Sequence, residues 1–395
     1  MKSRLLTGLA LCAALALAGC NDALDSAAKA ERPLPDHLVR VMKAKGMSKS
    51  SPIVVRIFKE EGQLEVWKQK DTGRYDLVTS YEICKWSGQL GPKYIEGDRQ
   101  APEGFYTIRP HQMNPKSSYY LAFNLGYPNE FDRAHGRSGS HLMVHGACSS
   151  AGCYSMTDEQ VAEIFAFGRD AFRGGQREFQ VQAFPFRMTP ANMARYKNDP
   201  NIEFWRMLKE GYDHFELTKV PPKVDVCGGR YVFNQTPAEG QSFRGGNAPC
   251  PQMSQPDSLR MAYDALKRDH DEAFSALLSS GEAASRPLSP SIDGIKEARL
   301  VADWTKRRAR GEKVPRTPPS LEDPRRAPAP APAPEPEQVE EAAAAPAPAA
   351  PSTAAPAPVA PAPQAQAGAA PVPETRPDQS AEASAPQKKR WWNVF

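Results

Sequence analysis

SHLMVHGACSSAGCYSMTDEQVAEIF, residues 140–165, is the stretch that decides how this chain folds. A short run of strand-forming residues comes first, and a glycine-containing turn follows it. A helix is then predicted over residues 157–172, because Thr157 and Gln160 have the spacing of a capping box and apolar side chains follow at helical intervals. The stretch therefore predicts a strand that passes through a tight turn into a helix.

Two residues of this stretch have the setting of a thiol catalyst. Cys153 lies on the turn just before the helix, and a cysteine attacks a carbonyl only as a thiolate, which needs a nearby base. His145 ends the preceding strand and is the candidate base, with a backbone carbonyl near Gly146 to orient its ring. Gly152 allows close approach of a substrate, and its neighbourhood, with the N–H of Cys153, is the candidate oxyanion environment.

Other uses of these residues are compatible with the sequence. Cys148 could form a disulfide with Cys153, although the short turn between them makes that bridge awkward. His141 and His145, with the same two cysteines, could also bind zinc, but their spacing matches no standard zinc pattern. We therefore expect no metal and no cofactor, and His141 is then a supporting or core histidine.

The residues around this stretch predict a mainly β domain. Short runs rich in β-branched and aromatic residues are separated by turn residues, as in strands joined by hairpins. The runs are residues 53–58, 63–69, 75–84, 104–110, 118–125, 141–146 and 178–186. A second helix is predicted at 201–217, and the β domain is expected to occupy residues 51–235. Apolar spacing within 257–279 predicts a helical extension over residues 236–312.

The first fifty residues predict an export signal followed by a tether. Residues 1–20 have a basic start, an apolar run that is too short to span a bilayer, and small residues before Cys20. The end of this segment resembles the lipobox of bacterial lipoproteins, which implies cleavage before Cys20 and lipidation of its sulfur. Asn21, where an aspartate would retain the protein at the inner membrane, favours the outer membrane. Residues 21–50 are polar and rich in alanine, which is typical of a tether.

The C-terminal residues 313–395 are rich in proline and alanine and have almost no large apolar side chains. Such a composition cannot repay the entropy of ordering, so a disordered tail is predicted. The tail ends in KKRWWNVF, residues 388–395. This tip could dock on a membrane surface or a partner, or it could be a charged terminus that happens to carry aromatic residues.

Cysteine number and charge restrict the function further. Five cysteines remain after the signal and the lipidated cysteine are set aside, and an odd number in an oxidising compartment suggests one reactive thiol plus up to two disulfides. Cys227 and Cys250 flank a stretch rich in glycine, proline and asparagine and are the favoured pair. The net charge of +4 is slight for 395 residues, and no basic stripe alternates with aromatic residues in the folded part. Nucleic acid is therefore not an expected partner.

Two motifs resemble those of a known family. His145-Gly146 and Ser150-Ala151-Gly152-Cys153 are similar to the His-Gly and Ser-x-Gly-Cys motifs of the YkuD-type L,D-transpeptidases. The short gap between the motifs, and Ala151 in place of the histidine that many members have, resemble the YafK-like branch. A second segment, EGDRQAPEGFYTI at residues 96–108, is similar to the family's Thr-Pro-x-Gly segment, with Ala101 replacing the threonine. The resemblance covers roughly residues 51–187.

The resemblance implies a β-sandwich-like domain that acts on peptidoglycan. In such a domain Cys153 attacks the carbonyl of diaminopimelate in a stem peptide and forms a thioester, with His145 as general base and then acid. Stem peptides are acidic, so Arg99, Lys93 and Tyr154 are candidates for holding substrate carboxylates or ring faces. The alternatives are that Arg99 and Lys93 are ordinary loop charges and that Tyr154 packs under the turn.

We therefore expect a periplasmic, lipid-anchored cysteine L,D-transpeptidase that cross-links peptidoglycan or anchors a protein to it. Its expected partners are peptidoglycan, the membrane through the lipid, and a wall-anchored lipoprotein or outer-membrane protein. A first alternative is an amidase, in which water resolves the thioester and releases a wall-linked lipoprotein or trims a stem peptide. A second is a lipoprotein that binds peptidoglycan without turnover.

Overall fold

The computed structural model describes residues 27–282 and 287–315. The signal segment, Cys20 and the tail beyond residue 315 lie outside the described residues, so the predictions for them stay predictions. The described strands are β1 (Ile53–Phe58), β2 (Gln63–Gln69), β3 (Tyr75–Glu82), β4 (Lys85–Trp86), β5 (Gly104–Ile108), β6 (Met113–Asn114), β7 (Ala122–Asn124), β8 (Met143–His145), β9 (Tyr154–Ser155), β10 (Phe179–Phe184), β11 (Val224–Cys227), β12 (Arg230–Phe233), β13 (Thr236–Pro237) and β14 (Met253–Ser254). The described helices are α1 (Asp36–Ala44), α2 (Glu130–Ala134), α3 (Asp158–Arg173), α4 (Pro190–Arg195), α5 (Ile202–Thr218), α6 (Asp257–Ser280) and α7 (Gly294–Ala309).

Two five-stranded sheets form the centre of the described part. The first has the order β3-β2-β1-β10-β5, and β1 is buried along its whole length. In this sheet β1 pairs antiparallel with β2 and parallel with β10. A strand buried on both faces needs large apolar side chains on both, and IVVRIF has them at every position except Arg56. The second sheet has the order β4-β9-β8-β7-β6, and its parallel pair β8–β9 carries the candidate catalytic residues.

One apolar core joins the two sheets. It contains Val55 and Val181 from the first sheet, Phe123 and Val144 from the second, and Phe165 from α3. The rings of Phe123 and Phe179 meet across it, with centroids 5.8 Å apart. The predicted helix over 157–172 is confirmed as α3, with Thr157 and Gln160 in a capping box.

The helical content is higher than the sequence predicted. A mainly β domain with one or two helices is not confirmed, because the seven helices named above contain more residues than the strands of the described part do. The helices predicted from long periodic patterns are present as α3, α5 and α6. The unpredicted helices α2 and α4 are only five and six residues long, and such short helices show too few turns for a periodic pattern.

The prediction of a tether over residues 21–50 is wrong for the part that the structure describes, residues 27–50. Helix α1 buries Leu38 and Met42, and Leu34 and Met47 belong to the same core. Leu38 and Met42 are one helical turn apart and therefore share one face. Pro35 lies at the N-cap of α1, directly before the first helical residue, where a proline does not interrupt the helix.

The predicted extension over 236–312 packs back onto the rest of the structure. Helix α6 contacts α4 and α5, and Phe274 of α6 packs against a second apolar cluster that includes Trp205. After α6 the chain pairs with Leu90 through a parallel β-bridge at Ser291, and Ile292 is buried. Within the described ranges, none of the helices has the length and the apolar character that crossing a membrane requires.

Candidate active site

The candidate base and nucleophile are carried by neighbouring strands. His145 is the last residue of β8, and Cys153 directly precedes β9, which runs parallel to β8. Val144 and Tyr154 are in register and both point into the apolar core. Because side chains alternate along a strand, His145 and Cys153 lie on the opposite face of the sheet from these two residues. The loop of residues 146–152 joins the two positions.

Ser150 organises the turn that carries Cys153. Its hydroxyl donates to the carbonyl of Cys153 at 2.6 Å and accepts from the N–H of Cys153 at 3.1 Å and of Gly152 at 3.4 Å. The hydroxyl of Ser87 lies 2.9 Å from that of Ser150. The two N–H groups that were candidates for an oxyanion environment are therefore directed at Ser150 Oγ in this structure.

Glycine is required at two positions of the loop. Gly152 has a φ of +127°, and a Cβ there would lie 3.3 Å from Leu142 and 3.6 Å from the carbonyl oxygen of Gln100. A Cβ at Gly146 would lie 2.5 Å from Asp158 Oδ1 and 2.9 Å from a backbone oxygen. The nucleophile turn is thus pressed against the neighbouring loop at Gln100 and against the start of α3.

His145 is held in one orientation. Its Nδ1 lies 2.6 Å from the carbonyl oxygen of Gly146, which confirms the predicted orienting group. A carbonyl can only accept, so Nδ1 carries the proton and the neutral ring leaves Nε2 free to accept one. The ring of Tyr119 packs on the imidazole at a centroid distance of 4.6 Å, and His145 is only 3% exposed. Burial lowers the pKa of His145, and its hydrogen bond to Gly146 partly opposes this.

Cys153 is the free cysteine of the described residues and is partly buried. Its sulfur lies 3.7 Å from the carbonyl oxygen of His141. Burial raises the pKa of the thiol, while a hydrogen bond from the Met143 backbone and the positive charge of Lys93 act in the opposite direction. Both shifts favour the uncharged forms, a protonated thiol and a neutral imidazole.

The other four cysteines of the described residues form two disulfides. Cys227–Cys250 is present as predicted. The alternative bridge between Cys148 and Cys153 is wrong, because Cys148 is bonded to Cys84 instead. That bond also removes Cys148 from the alternative zinc site. Among residues 27–282 and 287–315, no group of three or more His, Cys, Asp or Glu side chains is arranged to hold a metal ion.

The three candidate substrate-binding residues have different positions. Tyr154 is 0% exposed and its hydroxyl donates to the carbonyl of Pro102 at 2.7 Å, so it packs under the turn and its predicted contact with substrate is wrong. Lys93 is also buried, and its ammonium pairs with Asp98 at 2.6 Å. Arg99 is half-buried, and its backbone lies against Gly152 next to the nucleophile. Of the three, Arg99 is the one with a partly exposed side chain at the site.

Sequence reasoning missed several neighbours of the site. Tyr119 and Ser87 come from distant segments and carry no local pattern that marks them. Asp158, the first residue of α3, accepts a hydrogen bond from the N–H of Ala147 at 2.8 Å. An acidic residue in the first turn of a capped helix was visible in the sequence and is the one signal that could have been used.

A large cleft begins next to the candidate nucleophile. It has a volume of about 1530 Å³, and its wall includes His141 and Met143, the two residues that contact the sulfur of Cys153 through their backbones. Side chains of both charges line it further on, including Arg109, Arg133 and Glu130. The cleft is large enough for an extended peptide.

Comparisons with known proteins agree with this site. The YkuD family, described as the L,D-transpeptidase catalytic domain, matches residues 53–173, which include His145 and Cys153. Over 185 residues the chain is 50% identical to the Escherichia coli K12 protein named "Putative L,D-transpeptidase YafK", covering 47% of this chain and 75% of that protein. The same identity and coverage hold for the protein of that name from Escherichia coli O157:H7.

Among solved structures, the chain is similar to the helical cell shape determining protein Pgp2 from Campylobacter jejuni. The two are 19% identical with a TM-score of 0.28, over 48% of this chain and 79% of that one. The family assignment rests on the 50% identity to YafK, which extends over 75% of that protein, and on the family match over residues 53–173. The chain therefore belongs to the YkuD-type L,D-transpeptidase family, in the branch that contains YafK.

Proposed function

We propose that the protein acts on peptidoglycan stem peptides, using Cys153 as nucleophile and His145 as base to break and remake an amide bond at diaminopimelate. The observation that carries this proposal is the placement of an oriented imidazole at the end of β8 and a free thiol directly before the parallel strand β9, beside a large cleft. The family to which the chain belongs supports the choice of peptidoglycan as substrate.

The proposed reaction begins with a proton transfer. Nε2 of His145 takes the proton of the Cys153 thiol as the sulfur attacks the carbonyl carbon of the stem peptide. The amide nitrogen then leaves with that proton, and a thioester remains on Cys153. An amine or a water molecule gives its proton to His145 and attacks the thioester, and the departing sulfur of Cys153 takes that proton back from His145. An amine acceptor makes a new amide, which is transpeptidation, and water makes a carboxylic acid, which is the amidase reaction.

Arg99 is the residue that we propose for recognition of a substrate carboxylate. It lies beside Gly152, its side chain is partly exposed, and it has no ion pair among the described residues. Lys93 differs from Arg99, because its charge is paired with Asp98. Its positive charge acts on Cys153 electrostatically, by lowering the pKa of the thiol. A guanidinium can hold a carboxylate through two parallel hydrogen bonds, which suits an acidic stem.

The acceptor and the cellular place belong to the proposal as well. We propose cross-linking or protein anchoring as the main reaction, in the periplasm, with the lipid on Cys20 holding the protein at the outer membrane. Ala151 is exposed next to the nucleophile, at the position where many members of the family have a histidine. The alanine at this position does not indicate whether an amine or water is the acceptor. The amidase reaction on a wall-linked lipoprotein is therefore the second candidate.

The test is mass spectrometry of diaminopimelate-containing muropeptides after incubation with the protein, with its Cys153→Ala variant, and with Ser149→Ala as a control in the same loop. We expect cross-linked or amine-exchanged products with the unchanged protein and with Ser149→Ala, and none with Cys153→Ala. Hydrolysed products alone that depend on Cys153 would favour the amidase. Equal products from Cys153→Ala would refute the thiol mechanism, and no product from any sample, with wall-linked lipoprotein also tried, would favour a binding protein.

A further inference from the structure

The loop between the candidate base and nucleophile is tied down by a disulfide. Cys148 lies within residues 146–152, the loop that separates His145 from Cys153, and it is bonded to Cys84 with a Cα–Cα distance of 5.4 Å. The two cysteines are 64 positions apart in the sequence. Cys84 directly precedes β4, so the bond connects the loop to the edge strand of the second sheet.

The same loop has an unfavourable backbone conformation. Ala147 and Cys148 have φ values of +61° and +46°, although neither is a glycine. For residues with a Cβ the left-handed region costs energy, and such a conformation persists only where the surroundings hold it. Non-glycine residues with left-handed φ concentrate around this site, and within the described residues they include Arg99, Tyr120, His141, Ala147 and Cys148.

The segment of residues 84–87 contacts the nucleophile region at consecutive positions. Cys84 holds the loop through the disulfide, and β4 pairs with β9 directly after Cys153. Ser87 then contacts the hydroxyl of Ser150, which binds the N–H of Cys153. The loop is held from the other side by the Ala147 N–H bond to Asp158. The segment therefore braces both the middle and the end of the loop.

We propose that Cys84 and Cys148 are positioning residues, whose disulfide holds the loop of residues 146–152, with its left-handed residues Ala147 and Cys148, and so fixes the position of Cys153 relative to His145. The inference rests on the proposed thiol chemistry. Base and nucleophile are the two ends of this loop, so a change in its conformation alters their separation and orientation. A displacement of about 1 Å can lower a rate by roughly 100-fold.

The second disulfide offers a matched control in the same chain. Cys227–Cys250 joins the end of β11 to the segment before β14 and closes a loop of its own. A variant with Cys227→Ser and Cys250→Ser loses one disulfide, as does a variant with Cys84→Ser and Cys148→Ser. Each variant loses one disulfide, but only the bond between Cys84 and Cys148 braces the nucleophile loop.

The experiment measures turnover of muropeptides and, separately, the pH dependence of Cys153 alkylation, followed by peptide mapping. We expect the Cys84→Ser/Cys148→Ser variant to lose about 10- to 100-fold in kcat with little change in KM. We also expect its alkylation midpoint to move to lower pH, since a loosened loop exposes the thiol that burial keeps protonated. The Cys227→Ser/Cys250→Ser variant should keep the kcat and the midpoint of the unchanged protein.

Reduction provides a second route if the serine variant does not fold. In the Cys227→Ser/Cys250→Ser background, dithiothreitol should open Cys84–Cys148, lower kcat and shift the midpoint, and reoxidation should restore both, with circular dichroism showing that the fold persists. Equal effects from the two serine variants, or an unchanged alkylation midpoint after the bond is opened, would overturn the proposal. Because alkylation needs no substrate, an absence of turnover would count against the proposed function and leave the positioning role to be decided by the midpoint.

Discussion

His145 is buried and Cys153 is partly buried, and burial disfavours the charged form of both side chains. Burial raises the pKa of the thiol and lowers the pKa of the imidazole, so it disfavours a thiolate–imidazolium pair in the resting site. In the proposed mechanism the sulfur gains nucleophilic character as its proton moves to His145. Such a site protects the thiol from adventitious oxidation, since oxidants react with thiolates rather than thiols.

The first prediction concerns the pH dependence of catalysis. The reaction needs a neutral imidazole, so kcat/KM falls as pH drops through the pKa of His145. Because burial lowers that pKa, the midpoint of the acid limb should lie below the ordinary imidazole value of about 6.5. His145→Gln should remove the limb and lower kcat by about 10²- to 10⁴-fold. Persistence of the same acid limb in this variant would exclude His145 as the base. The control is His37→Gln, at an exposed position of α1.

The second prediction concerns recognition of the substrate carboxylate. Arg99→Gln should raise KM about tenfold for stem peptides with a free diaminopimelate carboxylate and leave kcat nearly unchanged, since a uniform binding interaction is lost. Arg99→Lys, which keeps the charge, should lose less. Steady-state kinetics with amidated stem peptides supply the comparison. If the amidated and acidic peptides respond equally to Arg99→Gln, the residue does not bind the carboxylate.

At the scale of single elements, α3 and α1 illustrate two ways of supporting the site. Helix α3 begins at a capping box, and its first residue, Asp158, holds the N–H of Ala147 in the nucleophile loop. Helix α1 instead covers the apolar core, where Arg169 of α3 fixes the residues before α1 through the carbonyl of Ala30 at 2.7 Å. The described N-terminal residues are thus part of the fold.

The third prediction tests the docking of α1. Leu38 is 3% exposed, so Leu38→Ala should lower the free energy of unfolding by about 2–5 kcal/mol, the usual cost of emptying a buried leucine site. Arg40→Ala on the exposed side of the same helix should change it by less than about 0.5 kcal/mol. Urea unfolding followed by circular dichroism measures both. Equal stability of the two variants would return residues 27–50 to the role of a tether.

At the scale of the whole molecule, a buried ion pair connects three separated segments behind the site. Lys59, just after β1, pairs with Glu103 at 2.9 Å, and both side chains are fully buried. The other carboxylate oxygen of Glu103 accepts from the indole of Trp205 in α5 at 2.8 Å. The loop that carries Lys93 and Arg99 is joined to the same pair at Gly91, whose N–H donates to Glu103 at 2.7 Å and whose carbonyl accepts from Lys59 at 3.1 Å.

The fourth prediction removes the charge from this network. Glu103→Gln should lower the free energy of unfolding by about 3–5 kcal/mol, because the ammonium of Lys59 is left buried without a counter-charge. Glu203→Gln, which breaks the exposed pair with Arg206, should cost less than about 1 kcal/mol. Guanidinium unfolding of both variants gives the comparison. A loss at Glu103 no larger than at Glu203 would show that the pair does not hold the loop.

The sequence by itself determined the elements and contacts that depend on residues close to one another in the chain. The apolar run of β1 and the capping box of α3 are properties of consecutive residues, and both elements are where the sequence predicted them. The hydrogen bond between His145 and the Gly146 carbonyl was also predictable, because the two residues are adjacent in the sequence. The Cys227–Cys250 pair was also within reach, since it closes a short loop with a separation of 23 positions.

Only the tertiary structure decided which distant segments meet. Cys84 is bonded to Cys148 across 64 positions, Tyr119 covers His145, and Tyr154 turns into the core instead of the cleft. The docking of α1 depends likewise on an apolar surface that exists only once both sheets and α3 have assembled. The physical reason is common to all of these: a contact between distant segments is set by the packing of the whole core, and no run of neighbouring residues encodes it.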